Sequence, residues 1–100
     1  MMIPEKFLDE TIRAIGVITK NNYDSLISVK RIRDLYNIDS LDYSRINFYW
    51  RSLEYLEEHK VLKIFDSKSP KKYQVLNYFQ LFELLYDVYN NQRETAESSG

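Results

Sequence analysis

The chain of 100 residues contains no cysteine, two glycines and two prolines. Without cysteine it can form neither a disulfide nor a thiolate metal site. One of the two glycines is the last residue, so there is no glycine-rich loop of the kind that holds phosphate groups. The single histidine, His59, has no cysteine partner and no obvious nucleophile near it in the sequence. These shortages predict a protein that is not an enzyme, with no catalytic site, no metal site and no cofactor.

Long apolar runs are also missing. No apolar segment approaches the ~18 residues that a membrane span needs, and the first residues, MMIPEKFLDE, lack the basic and apolar regions of a signal peptide. Both absences predict a cytoplasmic protein without membrane association. The composition is 44% hydrophobic and 15% aromatic, with nine Tyr, which is typical of a globular chain rather than a disordered one. This length suits one domain.

Charge is distributed unevenly, although the net charge is only −1. From Lys30 to Lys72, ten Lys and Arg stand against seven Asp and Glu, a local charge of +3. The remaining residues contain four basic and eight acidic side chains, a charge of −4. A basic middle between acidic ends is compatible with a nucleic-acid-binding face.

Hydrophobic periodicity predicts two helices in the first half of the chain. The first begins near Pro4, because proline is tolerated in a first helical turn, and ends near Lys20. Residues 26–28, LIS, form a short apolar link that suits a small strand. Ser28 is a good N-cap for the second helix, and Asn37 tolerates the left-handed conformation that ends a helix. The apolar face of this second helix comprises Val29, Ile32, Leu35 and Tyr36.

A third helix and a β-hairpin follow. Ser40 or Asp42 is the expected N-cap of the third helix. Its apolar stripe comprises Ile46, Tyr49 or Trp50, Leu53 and Leu56, with both Tyr49 and Trp50 expected in the core. Residues 61–65, VLKIF, and 73–76, YQVL, are rich in branched and aromatic side chains and predict two strands, joined by a turn that contains Pro70.

The fourth helix is capped by Asn77 and extends to about residue 92, and residues 93–100 predict a disordered tail. This helix is apolar nearly all round, so it needs cover on two sides. The domain, residues 1–92, offers one side, and a second copy of the chain would offer the other. The sequence therefore predicts a homodimer through the helix at about 77–92. The expected interface residues are Tyr78, Phe79, Phe82, Leu85, Tyr86 and Tyr89.

Two helices joined by a short turn, with the second leading into a two-stranded hairpin, are the arrangement of a winged helix-turn-helix. In SVKRIRDLYNI, SRINFYWRSLEYLEEHKVLKIF and KKYQVL, the sequence resembles that superfamily, and most closely the PadR-like and MarR-like regulators. The resemblance covers roughly residues 9–90. It implies a mainly α fold with a small β-hairpin, the wing. It also implies a homodimer that binds double-stranded DNA in a sequence-specific way and regulates transcription, with a palindromic site.

Two positions depart from the family's pattern. Asn37 stands in the turn between the second and third helices, where the family often has Gly. His59 and Lys60 stand where Gly often follows the third helix. Because His and Lys adopt the left-handed conformation less readily than Gly, the end of the third helix stays open at this point.

The third helix carries side chains suited to reading base edges. The major groove of B-DNA admits an α-helix, in which Arg can bind guanine, Asn can bind adenine, and an aromatic ring can touch the thymine methyl group. The alternative is that the aromatics belong to the core and the arginines are simply solvated. The predicted DNA contacts on this helix are Tyr43, Ser44, Arg45, Asn47, Phe48 and Arg51, with Ser52 on the same face.

Two further basic sets are predicted to contact the DNA backbone. The second helix carries Lys30, Arg31 and Arg33. The tip of the hairpin carries Lys68, Lys71 and Lys72, which would reach a phosphate or the minor groove. For each set the alternative is an ordinary solvated surface.

Two other functions remain open. Small winged-helix dimers also serve as centromere-site binders in archaeal plasmid partition, where they spread along DNA and bridge to a segregation protein. Other winged helices bind only proteins, as scaffolds, and the sequence pI of about 5.8 and the aromatic fourth helix fit that alternative.

Overall fold

The computed structural model describes residues 3–99, with side chains described for residues 3–90. The elements in this part of the chain are α1 (Glu5–Thr19), α2 (Val29–Tyr36), α3 (Tyr43–Glu58), β1 (Leu62–Asp66), β2 (Lys72–Val75) and α4 (Tyr78–Ser99). The two strands pair antiparallel. The predicted class, mainly α with a small β-hairpin, is confirmed. None of the described helices has the length and apolar character needed to cross a membrane. The tail predicted at residues 93–100 lies outside the residues whose side chains are described.

Polar side chains begin three of the helices as predicted. The Ser28 hydroxyl accepts the backbone N–H three residues further on at 3.2 Å, which begins α2. The carboxylate of Asp42 accepts the corresponding N–H of α3 at 3.3 Å, so Asp42 rather than Ser40 is the cap. The Asn77 side chain accepts an N–H of α4 at 3.1 Å. Each cap satisfies a backbone donor that has no partner within its own helix.

The ends of α2 and α3 share one geometry. Asn37 after α2 and Lys60 after α3 have φ values of 54° and 64°, in the left-handed region. In both cases the N–H of the following residue donates to the carbonyl five residues back, at 2.9 Å. This is the Schellman motif, which usually has glycine at the left-handed position. Lys60 therefore ends α3 despite its side chain, and His59 keeps a negative φ of −85°.

The core lies where α1, α2 and α3 meet the inner face of the hairpin and one side of α4. Its buried apolar residues are Ile12, Ala14, Ile15, Ile27, Ile32, Tyr49, Leu53, Leu56, Val61, Leu62, Tyr73, Val75, Leu81 and Val88. The prediction that Trp50 packs in the core is wrong, since 45% of Trp50 is exposed. Tyr49 takes the core position because it lies in register with Leu53 and Leu56, whereas the next residue points about 100° away around the helix. Leu35, predicted on the apolar face of α2, is also exposed.

A hydrogen-bonded cluster joins α1 to α2 and α3. The hydroxyl of buried Tyr49 donates to Glu10 Oε2 at 2.6 Å, and the hydroxyl of Tyr36 donates to the Glu10 carbonyl at 2.8 Å. Beside this cluster, the ring of Phe7 stacks on Phe48 with centroids 4.6 Å apart. These contacts fix the position of α3 relative to α1.

A single bridge ties the loop before α2 to the hairpin. Ile27 donates its N–H to the carbonyl of Tyr73 at 2.8 Å and accepts the N–H of Tyr73 at 2.7 Å. The small strand predicted at residues 26–28 is thus present as one bridged residue. It holds the start of α2 close to β2, so the start of α2 and the tip of the hairpin lie beside the same stretch of α3, around Trp50.

The last helix crosses α1 at Gly16. A methyl group added at Gly16 would lie 3.2 Å from both terminal carbons of Leu85. The absence of a side chain at this position therefore permits the close packing of α4 on α1. Leu81 and Val88 of α4 are buried on the same side.

Candidate nucleic-acid interface

The outer face of α3 combines polar and aromatic side chains. Tyr43, Ser44, Asn47 and Trp50 are all exposed. Steps of three and four residues separate Tyr43, Asn47 and Trp50, so they follow one side of the helix. Tyr43, Ser44 and Asn47 belong to the predicted DNA-contact set, whereas Trp50 was predicted in the core.

Arg45, which was predicted on the same face, lies about 160° around α3 from Asn47, on the side that carries Tyr49. Its side chain is 40% exposed, and its Nε lies 3.9 Å from Asp42 Oδ2. An exposed ion pair of this kind contributes little to stability. The guanidinium can therefore leave Asp42 at small cost when a stronger acceptor, such as a guanine edge or a phosphate, comes within reach.

Three other predicted residues of α3 lie away from the outer face. Phe48 is half-buried against Phe7 of α1. Ser52 is fully buried and donates its hydroxyl to the carbonyl of Phe48 at 2.8 Å, so its predicted place on the outer face is wrong. Arg51 is half-buried and borders a depression with Glu54 and Glu58. Contact of Phe48 or Arg51 with DNA stays a prediction.

The three basic residues of α2 have separate surroundings. Lys30, in the first turn, is exposed beside the outer face of α3. The guanidinium of Arg31 turns back and donates to the carbonyl of Leu26 at 2.9 Å. Arg33 is half-buried, with its Nε enclosed by protein. Among the three, Lys30 is the one that shares a surface with α3.

The three lysines of the hairpin tip differ in exposure, and Lys71 is the one that lines a groove with α2 and α3. Lys68 is exposed, and its N–H donates to Asp66 in a tight turn at 2.9 Å. Lys71 and Lys72 are half-buried. The Lys71 ammonium lies 5.5 Å from the centre of the Tyr73 ring, a cation–π arrangement. The pKa of buried Tyr73 is raised, mainly by burial, so its hydroxyl stays neutral beneath this ammonium.

One groove joins all three elements, and we call it the α3–wing groove. Its volume is about 220 Å³. Its sides are formed by Val29, Lys30, Ile46, Trp50, Pro70 and Lys71. Of these six, Lys30 and Lys71 belong to the predicted DNA-contact set, whereas Val29, Ile46, Trp50 and Pro70 do not. The helical spacing of Trp50 from Tyr43 and Asn47 is the signal that indicates its position.

A second exposed surface lies on α4, and we call it the α4 aromatic face. Four of the six residues predicted for a dimer interface, Phe79, Phe82, Tyr86 and Tyr89, are more than half exposed there. Glu83 and Asp87 lie among them around a shallow depression, and the Arg13 guanidinium lies 5.0 Å from the centre of the Tyr89 ring.

The other two predicted interface residues turn inward. The hydroxyl of half-buried Tyr78 donates to the carbonyl of Tyr23, and the rings of the two residues meet edge to face. Leu85 packs on Gly16 of α1. Both therefore attach α4 to its own domain.

No protein-family model, curated protein or solved structure matches this chain. The two surfaces described above are therefore the basis for assigning a function.

Proposed function

We propose that the chain is a winged helix-turn-helix protein that binds double-stranded DNA as a homodimer and regulates transcription. The observation that carries the proposal is the convergence at the α3–wing groove. There the outer face of α3, the first turn of α2 and the tip of the hairpin share one surface, on which Lys30 and Lys71 provide positive charge. The order of elements supports the same assignment, because α2, a short turn, α3 and the hairpin follow one another in the winged-helix order.

The outer face of α3 has the chemistry for reading bases. Asn47 is exposed and suits a pair of hydrogen bonds with adenine. Arg45 lies further round the helix, and its long side chain suits guanine. Tyr43 and Ser44 lie in the first turn, where free backbone N–H groups also favour a phosphate. On this proposal Arg45 and Asn47 select the sequence, and Tyr43 and Ser44 fix the register of the helix on the duplex.

The hairpin tip and Lys30 supply attraction that does not depend on sequence. Lys68 projects from the turn, and Lys71 and Lys72 follow it into β2. Each phosphate that such a side chain neutralises releases a counterion, which makes binding weaken as salt rises. Because the chain as a whole has a net charge of −1, this attraction is local to one surface.

The α4 aromatic face supports the homodimer. Its four aromatic side chains expose 72%, 57%, 68% and 55% of their surface. At roughly 200 Å² for each fully exposed aromatic side chain, the face offers about 500 Å² of exposed side-chain surface per protomer. Two copies would bury about 1,000 Å² in total, which is near the minimum for a specific interface. A twofold dimer would place two α3 helices on successive turns of one face of the duplex.

Selection from a random duplex library at physiological salt tests the DNA-binding proposal. We expect recovery of an inverted repeat with half-sites about one helical turn apart. The Asn47→Ala and Arg45→Ala variants should each lose roughly 1–3 kcal/mol of discrimination at one position of the half-site. Lys20→Ala, which removes an exposed lysine that follows α1 and does not line the groove, is the matched control and should change nothing.

The outcome of this selection also distinguishes the alternatives. An unenriched pool, together with unchanged affinity in the Arg45 and Asn47 variants, would refute sequence-specific binding. Protection that extends well beyond the repeat would indicate spreading along DNA, as in plasmid partition.

Sedimentation or light scattering tests the homodimer. Phe82→Glu places a charge at the centre of the α4 aromatic face and should convert a dimer into a monomer, because the buried charge would have no partner. Tyr55→Glu is the control, since Tyr55 is an exposed aromatic residue of α3 outside that face. A wild-type chain that sediments as a monomer at every concentration would refute the dimer.

A protein-binding scaffold is the second candidate, and Glu83 and Asp87 favour it. These two acidic side chains interrupt the α4 aromatic face, and a basic partner would pair with them better than an identical helix would. A chain that is monomeric and that binds no duplex would favour this candidate.

A further inference from the structure

Trp50 is the only tryptophan of the chain, and it lines the α3–wing groove. Nearly half of its surface is exposed, although apolar side chains line the groove with it. Pro70 of the hairpin tip faces the same space, with Val29 and Ile46 on the side of the helices. The groove is therefore apolar in its interior.

Charge stands only at the border of this apolar space. Lys30 approaches from the start of α2, and Lys71 approaches from the start of β2. No acidic residue lines the groove among the described residues. An occupant that is apolar on one side and negatively charged at its edge would complement this arrangement.

A deoxyribose with its phosphate has this character. The ring carbons of the sugar are apolar, and the phosphate attached to them is an anion. A base edge fits less well, since it presents hydrogen-bond donors and acceptors in its plane, whereas the groove interior is mostly carbon. A stacked base is excluded within a duplex unless it is flipped out of the helix.

The position of the groove points to the same occupant, on the basis of the proposed function. If α3 enters the major groove, the hairpin tip beside it lies over the neighbouring minor groove. The DNA strand that separates the two grooves must then cross the space between α3 and the tip. That space is the α3–wing groove.

We propose that the α3–wing groove binds one deoxyribose-phosphate unit of this strand, with the sugar on Trp50 and Pro70 and the phosphate between Lys30 and Lys71. Trp50 then contributes to affinity for every duplex and does not select the sequence. Arg45 and Asn47, on the same helix, instead select the sequence.

Trp50→Ala distinguishes these roles. Affinity is measured by fluorescence anisotropy with two labelled duplexes, one that contains the recovered repeat and one with the same bases in shuffled order. We expect Trp50→Ala to weaken binding to both by the same factor, about tenfold for each protomer on the duplex, because covering half of the exposed indole removes on the order of 50 Å² from water. Trp50→Phe should recover most of the affinity. Tyr55→Ala, which shortens a comparably exposed aromatic residue of α3 outside the groove, should change neither affinity.

Two further measurements use the same samples. Because the chain has one tryptophan, a change in its emission on adding either duplex reports directly on Trp50. If Lys30 and Lys71 share a phosphate, the Lys30→Ala/Lys71→Ala double variant should lower the slope of log affinity against log salt by about 1.8 for the dimer. This is the value for one phosphate per protomer, whereas two separate phosphates per protomer would give about 3.6. A decrease near 3.6 would contradict a shared phosphate.

The results separate this inference from the proposed function. A wild-type chain that binds neither duplex overturns both. Binding that survives Trp50→Ala unchanged, without a change in tryptophan emission, overturns only the sugar-phosphate site. A loss confined to the recovered repeat would also overturn it, since Trp50 would then contact a base. Thermal unfolding of each variant shows whether a loss of binding reflects a loss of fold.

Discussion

The hydrogen bond between Tyr49 and Glu10 is a sharp test of how α3 is held in place. Tyr49→Phe removes one oxygen and leaves the ring in the core. A hydrogen bond to a charged group contributes roughly 1.5–3 kcal/mol, and the half-buried Glu10 carboxylate would lose the donor that the Tyr49 hydroxyl provides. We expect a loss of about 2 kcal/mol in the free energy of unfolding. For a domain of this size that loss lowers the Tm by roughly 10 °C.

Tyr36→Phe is the matched control. The Tyr36 hydroxyl donates to the backbone carbonyl of the same Glu10, a neutral acceptor, at 2.8 Å. Its loss should cost about 1 kcal/mol. A double-mutant cycle of Tyr49→Phe with Glu10→Gln isolates the interaction between the two side chains. Circular dichroism melts at one fixed protein concentration are required, because a dimer makes the Tm depend on concentration.

The pH dependence of this difference provides an independent check. Burial, and then the hydrogen bond to Glu10, raise the pKa of Tyr49 above its usual value. The folded state therefore holds the proton more tightly, so this stabilisation is complete below pH ~10 and is lost as pH rises through the raised pKa. The difference in Tm between wild type and Tyr49→Phe should shrink above pH ~10. Equal stability of the two proteins at pH 7, or a difference that grows with pH above that value, would refute the reasoning.

Three other substitutions test the packing and the helix ends. Lys60→Gly should raise stability by about 0.5–1 kcal/mol in urea unfolding, because Lys60 has a positive φ of 64°; a decrease would mean that its side chain is needed. Gly16→Val should lower the free energy of unfolding by roughly 1–3 kcal/mol, because the larger side chain pushes Leu85 away. Gly16→Ala should stay within about 1 kcal/mol of wild type, because its gain in helix propensity offsets the close contact with Leu85. Equal thermal melts for wild type and Gly16→Val would contradict this. Ser28→Ala should lose about 1 kcal/mol of stability with the N-cap of α2, while Ser28→Asn, which can accept the same N–H, should recover most of it.

Local chemistry was enough to predict the elements and most of their ends. Ser28, Asp42 and Asn77 cap their helices because short polar side chains can accept backbone N–H groups that no other residue of the helix reaches. Periodicity of 3.6 residues likewise placed the apolar stripe of α3. The end of α3 stayed open, because the sequence gives no local reason for Lys60 to adopt the left-handed conformation.

Local chemistry could not decide which of two neighbouring aromatic residues is buried in the core. Tyr49 and Trp50 are both large and mainly apolar, and either fits an apolar stripe. Tyr49 takes the core position, where Glu10 of α1, thirty-nine positions earlier in the chain, accepts a hydrogen bond from its hydroxyl. Trp50 is consequently turned outward, into the groove beside the hairpin tip.

The sequence by itself determined the four helices, the hairpin, the basic middle of the chain and the aromatic character of α4, because these depend on side chains close together in the chain. Only the tertiary structure decided which basic residues share a surface. The bridge between Ile27 and Tyr73 brings Lys30 and Lys71 to the sides of one groove. It also decided which side of α4 stays exposed, because Leu85 fits against Gly16 and turns Phe82 and Tyr86 outward. Such contacts join distant positions, and their free energies depend on shape and burial that no local pattern contains.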